Sequence, residues 1–304
     1  NNGNSDITSK TEDKISELQN LIEKHYMGDV KEKNLEDGVY KGYINGLNDP
    51  YSVYYNKKET KELYESTGGE YSGIGAVMSQ NTETGVITLV QIYKDSPAEK
   101  AGLKANDILY KVEGKEVTGK DLSKVVSKVK GEKGTTVELT VLRGEDAKEV
   151  TVTATRDTVQ AQTIEYKMMD DKIGYIRVSE FDTVTYDQYK EALDDLEKQG
   201  MTGLVVDLRN NPGGSLSTVC DMLDLMLPKG LIVYTEDKNG KKTEMKSDEE
   251  HQFTKPLAVL VNGNSASASE IYSGAIQDYG IGKIVGTQTY GKGVVQQIFD
   301  LDDG

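Results

Sequence analysis

"LAVLVNGNSASASEIYSGAIQD", residues 257–278, contains a strand, a turn and a helix in immediate succession, and its reading decides the fold. Five consecutive apolar residues, 257–261, read as a short strand buried on both faces. Three serines follow at alternate positions, Ser265, Ser267 and Ser269, spaced by alanines, and the chain then turns into a helical run. The same order recurs upstream. "KIGYIRVSEF" (172–181) reads as a strand and "TYDQYKEALDDLEKQG" (185–200) as a helix stopped by Gly200. "GLVVDLRN" (203–210) reads as a buried strand and "SLSTVCDMLDLML" (215–227) as a helix. "LIVYTED" (231–237) and "GKIVGTQTY" (282–290) add strands. Alternation of this kind predicts an α/β layer with a largely parallel sheet over 158–304, with functional groups at the carboxyl ends of the strands. The sequence stops as a further strand would begin, so the core is expected to be incomplete within it.

Two other regions precede this one. Residues 1–68 read mostly as helix, with Ile15, Leu18, Leu21 and Ile22 at helical spacing and a turn at "GLNDPYSVYY" (46–55). Residues 69–157 change to short strands. "TTVELTVLRG" and "KEVTVTATRD" alternate with period two, and "DLSKVVSKVK" (121–130) carries Leu122, Val125, Val126 and Val129 on one helical face. That block reads as a small, mostly β module.

Composition narrows the function. A net charge of −15 argues against nucleic acid as a partner, because phosphate binding needs clustered Lys and Arg. One cysteine, Cys220, excludes an internal disulfide and a multi-cysteine metal site. Two histidines, His25 and His251, lie outside any motif, so hydrolytic chemistry here would run without histidine; no cofactor and no metal is expected. No apolar stretch is long enough to span a bilayer. The charged runs "SDEEHQ" and "KNGKKTEMK" read as solvated surface.

A serine at a strand-to-helix turn lies beside free main-chain N–H groups and the positive end of the helix dipole, where a developing oxyanion is stabilised. Taken by itself the pattern reads first as an ordinary cap, with Glu270 closing a capping box on Ser267. A serine nucleophile needs a base, and without a placed histidine lysine is the candidate. A lysine can serve only when neutral near pH 7, which burial in an apolar site favours. Lys292 in "YGKGVVQQ" (290–297) has glycines on both sides and Val294 and Val295 nearby. Gln296, four residues on, points to the same side if the segment is extended. In "DLRNNPGGS" (207–215), a bare glycine N–H at Gly213 or Gly214 suits an oxyanion hole as well as it suits a tight turn.

Together, "SASASEI", "GKGVVQQ", "DLRNNPGG", "SPAEKAGLKANDILYKVEG" (96–114) and "LNDPYSVYY" (47–55) resemble the carboxy-terminal processing peptidases, or tail-specific proteases, over nearly the whole chain. The resemblance implies a multidomain α/β protein: an N-terminal helical segment, an embedded PDZ domain and a crotonase- or Clp-like protease core. It implies a serine–lysine endopeptidase acting on unstructured proteins and their C-terminal tails. Ser267 would be the nucleophile, Lys292 the general base and Gln296 its support. The oxyanion hole would use the N–H of Ala268 and that of Gly213 or Gly214. In the PDZ block, Gly73, Ile74, Gly75 and Ala76 would receive the terminal carboxylate, with the helix bearing Val125 and Val129 beside the added peptide. Lys130 stands where the family places a basic residue, there arginine, that couples the PDZ domain to the protease site; lysine lacks the planar fork. The same resemblance implies an extracytoplasmic address in the cell envelope and a membrane anchor outside this sequence, while the amphipathic N-terminal helix and the strand edge expected where the sequence stops point to self-association. Two rival readings are a tail-binding scaffold on an inactive core and an acyl-thioester enzyme of the crotonase type.

Overall fold

The structure, a computed structural model, describes residues 4–248 and 250–302. It divides into two compact units, one holding the chain up to Lys57 together with the residues from Leu301, the other Lys58–Asp300.

The first unit contains helices α1 (Asn4–His25) and α2 (Glu32–Asn45). The turn that follows is built on Asp49. Its carboxylate accepts the Ser52 hydroxyl at 2.6 Å and the Tyr51 N–H at 3.2 Å, an Asx-type turn around Pro50. The Tyr40 and Tyr54 rings pack 5.3 Å apart.

Helix α3 (Lys57–Gly68) leads into the second unit, which has two hydrophobic cores. The first forms in the β module. Its strands are β1 (Glu70–Gly73), β2 (Ala76–Gln80), β3 (Ile87–Ile92), β4 (Ile108–Val112) and β5 (Lys115–Glu116), then β6 (Thr136–Arg143), β7 (Lys148–Thr155) and β8 (Asp157–Gln160). The short helix α4 (Pro97–Lys100) starts at a Ser96 cap, and α5 (Leu122–Val129) starts at an Asp121 cap. The antiparallel sheet runs β2-β3-β4-β6-β7, with β5 on β4, while β1 pairs with β8. Leu89, Leu109, Val137 and Leu139 from the strands meet Val125 and Val129 of α5. The carboxylate of buried Asp107 takes a two-point ion pair from Arg143, at 2.7 and 2.8 Å, and so needs no solvent.

The second core belongs to the α/β layer. Its elements are β9 (Ile164–Met168), β10 (Ile173–Val178), α6 (Thr185–Lys198), β11 (Gly203–Asp207) and α7 (Leu216–Asp224). They continue with β12 (Gly230–Glu236), β13 (Lys242–Ser247), β14 (Leu257–Val261), α8 (Ala268–Asp278) and β15 (Lys283–Gly286). The main sheet is ordered β15-β14-β11-β10-β9; the first four strands are parallel and β9 is antiparallel. Because sequence order follows sheet order and parallel crossovers are right-handed, α6, α7 and α8 fall on one face, and they pack in that order. Buried between helices and sheet, the Tyr189 and Tyr272 hydroxyls satisfy one another at 2.7 Å.

Two expectations are corrected. "LIVYTED" is a strand but leaves the main sheet: β12 pairs with β13 as a separate hairpin, closed by the Asp237 carboxylate on the Asn239 and Lys241 N–H groups. The charged run around Lys242 and Met245 is exposed along most of its length, as expected, and forms that second strand. Beyond β15, residues 287–302 form no strand, so the strand expected to carry Lys292 and Gln296 is absent, although their side chains meet at 2.8 Å.

Asp182, in the turn between β10 and α6, is 6% exposed and packs against the backbone at Gly69. Burial, and then the negative charge of Glu180, push its carboxyl up to about 7. Between roughly pH 4 and 7 the folded chain therefore keeps a proton that the unfolded chain has lost, and stability falls as pH rises through that window. Asp182→Asn should raise unfolding stability at pH 8 by about 1–3 kcal/mol and give no gain at pH 4, read from urea melts at both values.

Candidate active site

The sheet's carboxyl edge brings three loops together, and the serine stretch lies among them. Two of its three hydroxyls bond to backbone carbonyls. Buried Ser265 donates to Leu208 O at 2.8 Å, and Ser269 donates to Asn211 O at 2.9 Å, so both clasp the loop after β11. Ser267 differs. Its backbone sits at φ 55 and ψ −114, a region that a non-glycine residue occupies only under constraint. The capping box expected from the sequence is present, with the Glu270 carboxylate on the Ser267 N–H, and the Glu270 N–H also bonds to the Ser267 main-chain carbonyl at 2.8 Å.

Glu270 supplies the constraint. Its Oε2 accepts the Ser267 N–H at 2.8 Å and the Lys292 N–H at 2.9 Å, and its Oε1 accepts the Gly291 N–H at 2.6 Å. Burial alone would push this carboxyl up; the Gly291 N–H, the Thr289 hydroxyl and the Ser267 and Lys292 N–H groups outweigh it and hold it below the usual range. The Tyr290 N–H donates to Ser265 O at 3.0 Å, a second tie between the two loops. The main chains of Ser267 and Lys292 thus meet at one oxygen atom. Lys292 is half-buried, and its Nζ donates to Gln296 Oε1 at 2.8 Å.

The loop after β11 is held at its base by Asp207, whose carboxylate takes the Arg209 guanidinium at 2.6 and 2.9 Å and the Tyr175 hydroxyl at 2.7 Å. Further along, Gly213 has φ 106, and a Cβ there would lie 2.8 Å from Ser267 Cβ and 3.0 Å from Ala268 N. Only glycine permits this approach. The Gly213 N–H bonds to Asn211 Oδ1 at 2.8 Å. The N–H groups of Gly214 and Ala268 make no hydrogen bond among the described residues.

In the β module, Gly73, Ile74 and Gly75 are buried and Ala76 is half-buried. Ile74 O and Gly75 O accept the Ala98 and Tyr93 N–H groups, and β2 is an edge strand of its sheet. Val125 and Val129 are 1% and 3% exposed and face the module's own core. Lys130 places its ammonium 4.7 Å from the centre of the Tyr71 ring, a cation–π contact.

Comparison with known proteins fits this arrangement. Residues 172–304 match the model for Peptidase family S41, residues 88–143 that for a PDZ domain, and residues 1–60 that for the activating protease CtpB N-terminal domain. The carboxy-terminal processing protease CtpA of Bacillus subtilis (strain 168) is 38% identical over 96% of this chain, and CtpB of the same organism is 37% identical over 97%. The chain belongs to the carboxy-terminal processing protease family. It spans 62% of the length of each of those two relatives. The solved photosystem II D1 C-terminal processing protease superposes with a TM-score of 0.51 at 28% identity, covering 95% of this chain and 78% of that one.

Two residues of this family member escaped sequence reading as site builders. Glu270 has the spacing of a cap partner, and nothing local shows that it reaches the loop 22 residues further on. Asn211 reads as a turn former. Replacing Glu270 with Ala strands three main-chain N–H groups and should cost about 2–4 kcal/mol of stability, with the Gly291 and Lys292 amides losing protection in hydrogen exchange. Unchanged protection at those amides would mean that the carboxylate does not hold the loop.

Proposed function

We propose that the chain is the catalytic part of a serine endopeptidase that takes substrates by their C-terminal tails and cleaves with Ser267 and Lys292. The observation that carries the reading is the pairing of the two residues' main chains on one Glu270 oxygen, with the lysine amine held by Gln296. Ser267 Oγ attacks the peptide carbonyl carbon while its proton passes to the Lys292 amine as general base. The tetrahedral oxyanion is met by the Ala268 N–H and one glycine N–H of the Pro212–Gly213–Gly214 turn. Collapse breaks the C–N bond, and the leaving amine takes the proton from Lys292. Water then attacks the acyl-enzyme, with the same amine as base.

Tail capture is assigned to the β module. A terminal carboxylate would lie on the N–H groups of the Gly73–Ala76 turn while the peptide adds to the open edge of β2. An extracytoplasmic address and a membrane anchor outside this sequence belong to the same proposal and are supported by family likeness alone; self-association is supported by the amphipathic pattern of the N-terminal helix.

Ser267→Ala and Lys292→Ala should each lower kcat/KM on casein by at least about 10³-fold, with binding of a C-terminal peptide unchanged. Near wild-type turnover of Lys292→Ala would remove lysine as the base. Tail binding by the unaltered chain without any cleavage would make the protein a scaffold.

A further inference from the structure

We propose that Asn211 is the positioning residue of the oxyanion hole. By holding the Gly213 N–H on its side-chain carbonyl, it leaves the Gly214 N–H, with that of Ala268, to meet the oxyanion. The inference rests on the peptidase reading and decides which glycine serves it.

Asn211 is 0% exposed, and its polar groups are paired. Nδ2 donates to Val178 O at 2.9 Å, at the end of β10, and Oδ1 accepts the Gly213 N–H at 2.8 Å. Its main-chain N–H donates to Leu208 O, and its carbonyl accepts both the Ala266 N–H and the Ser269 hydroxyl. One residue thus joins the end of β10, the glycine turn and the serine stretch. Its amide has one workable orientation, because a flip would set oxygen against the Val178 carbonyl and N–H against N–H at Gly213.

The next peptide plane follows from this anchor. Gly213 O accepts the Phe181 N–H at 2.9 Å, and Ser215 N–H donates to Phe181 O at 2.7 Å. No cis peptide bond occurs among the described residues, and in a trans plane the carbonyl and the following N–H point to opposite sides. With Gly213 O turned to Phe181, the Gly214 N–H is turned away from it. The turn lies against the nucleophile, as the close approach of Gly213 to Ser267 Cβ and Ala268 N requires. The second donor comes from Ala268, the first residue of α8, whose N–H has no partner within its helix.

The test combines amide exchange on glycine-labelled chain, steady-state kinetics and a peptidyl boronate, which forms a tetrahedral adduct on the serine. In the unaltered chain the Gly213 amide should be protected, while the Gly214 amide exchanges freely and shifts when the boronate binds. Asn211→Ala should lower kcat and boronate affinity together by about 10²–10³-fold, with KM moved by less than about threefold. Asn211→Ser, whose hydroxyl can still accept from the N–H two residues on, should recover most of the loss. A freely exchanging Gly213 amide, or a boronate shift at Gly213 in place of Gly214, overturns the inference. So does a folded Asn211→Ala chain with kcat within about threefold of the unaltered one. If that variant does not fold, the serine variant and the exchange pattern decide. An unaltered chain that neither cleaves nor takes the boronate overturns the peptidase reading and this inference with it. A cleaving chain with the wrong exchange pattern overturns the inference alone.

Discussion

Glu270 accepts main-chain N–H bonds from two segments, from Ser267 at the head of its own helix and from Gly291 and Lys292 on the loop after β15. The backbone of Ser267 carries strain on the order of 1–3 kcal/mol at its positive φ. Each bond to a charged acceptor is worth about 1.5–3 kcal/mol, so three of them exceed the strain. The anion also sits in the first turn of α8, where the helix dipole favours it. One group therefore holds the unusual backbone of Ser267 and sets the register of the loop that carries Lys292. The two loops need not be placed by a further strand, which explains how 287–302 can lack regular structure while Lys292 keeps its main-chain position.

The α/β core was legible because each parallel strand is a short apolar run closed by a polar turn, and "GLVVDLRN" and "LAVLV" cannot bury both faces except inside such a layer. The serine stretch was legible as a strand-to-helix turn and illegible in its division of labour. Ser265 and Ser269 clasp carbonyls 57 and 58 residues earlier in the chain, and no local pattern carries that information. Asn211 has the same difficulty, since its Val178 partner is 33 residues away. The hairpin of β12 and β13 was half missed because its second strand has the composition of a solvated run and gains its order from its neighbour. The segment around Val294 and Val295 shows the opposite error. Apolar pairs suggest a strand, yet a strand exists only with a partner, and no described strand pairs with it.

The groups gathered at the sheet's edge are mostly main chain. Glu270 collects N–H groups, Asn211 fixes a peptide plane, and Ser265 and Ser269 bind carbonyls. Such a site does not call for histidine or a net positive charge, so it fits a chain with two histidines and a charge of −15. It also makes the geometry sensitive in an uneven way. A side chain that merely borders these loops can change while the N–H groups stay where they are. Loss of Asn211 or Glu270 frees the backbone that carries the donors, and Gly213 cannot accept a Cβ without displacing Ser267. In the β module the same logic applies with fewer ties. The Gly73–Ala76 turn and the open edge of β2 present backbone groups, while Val125 and Val129 remain in the core. Side-chain selectivity for a tail docked there would have to come from the exposed positions of α5, such as Lys124 and Lys128, and not from its buried stripe.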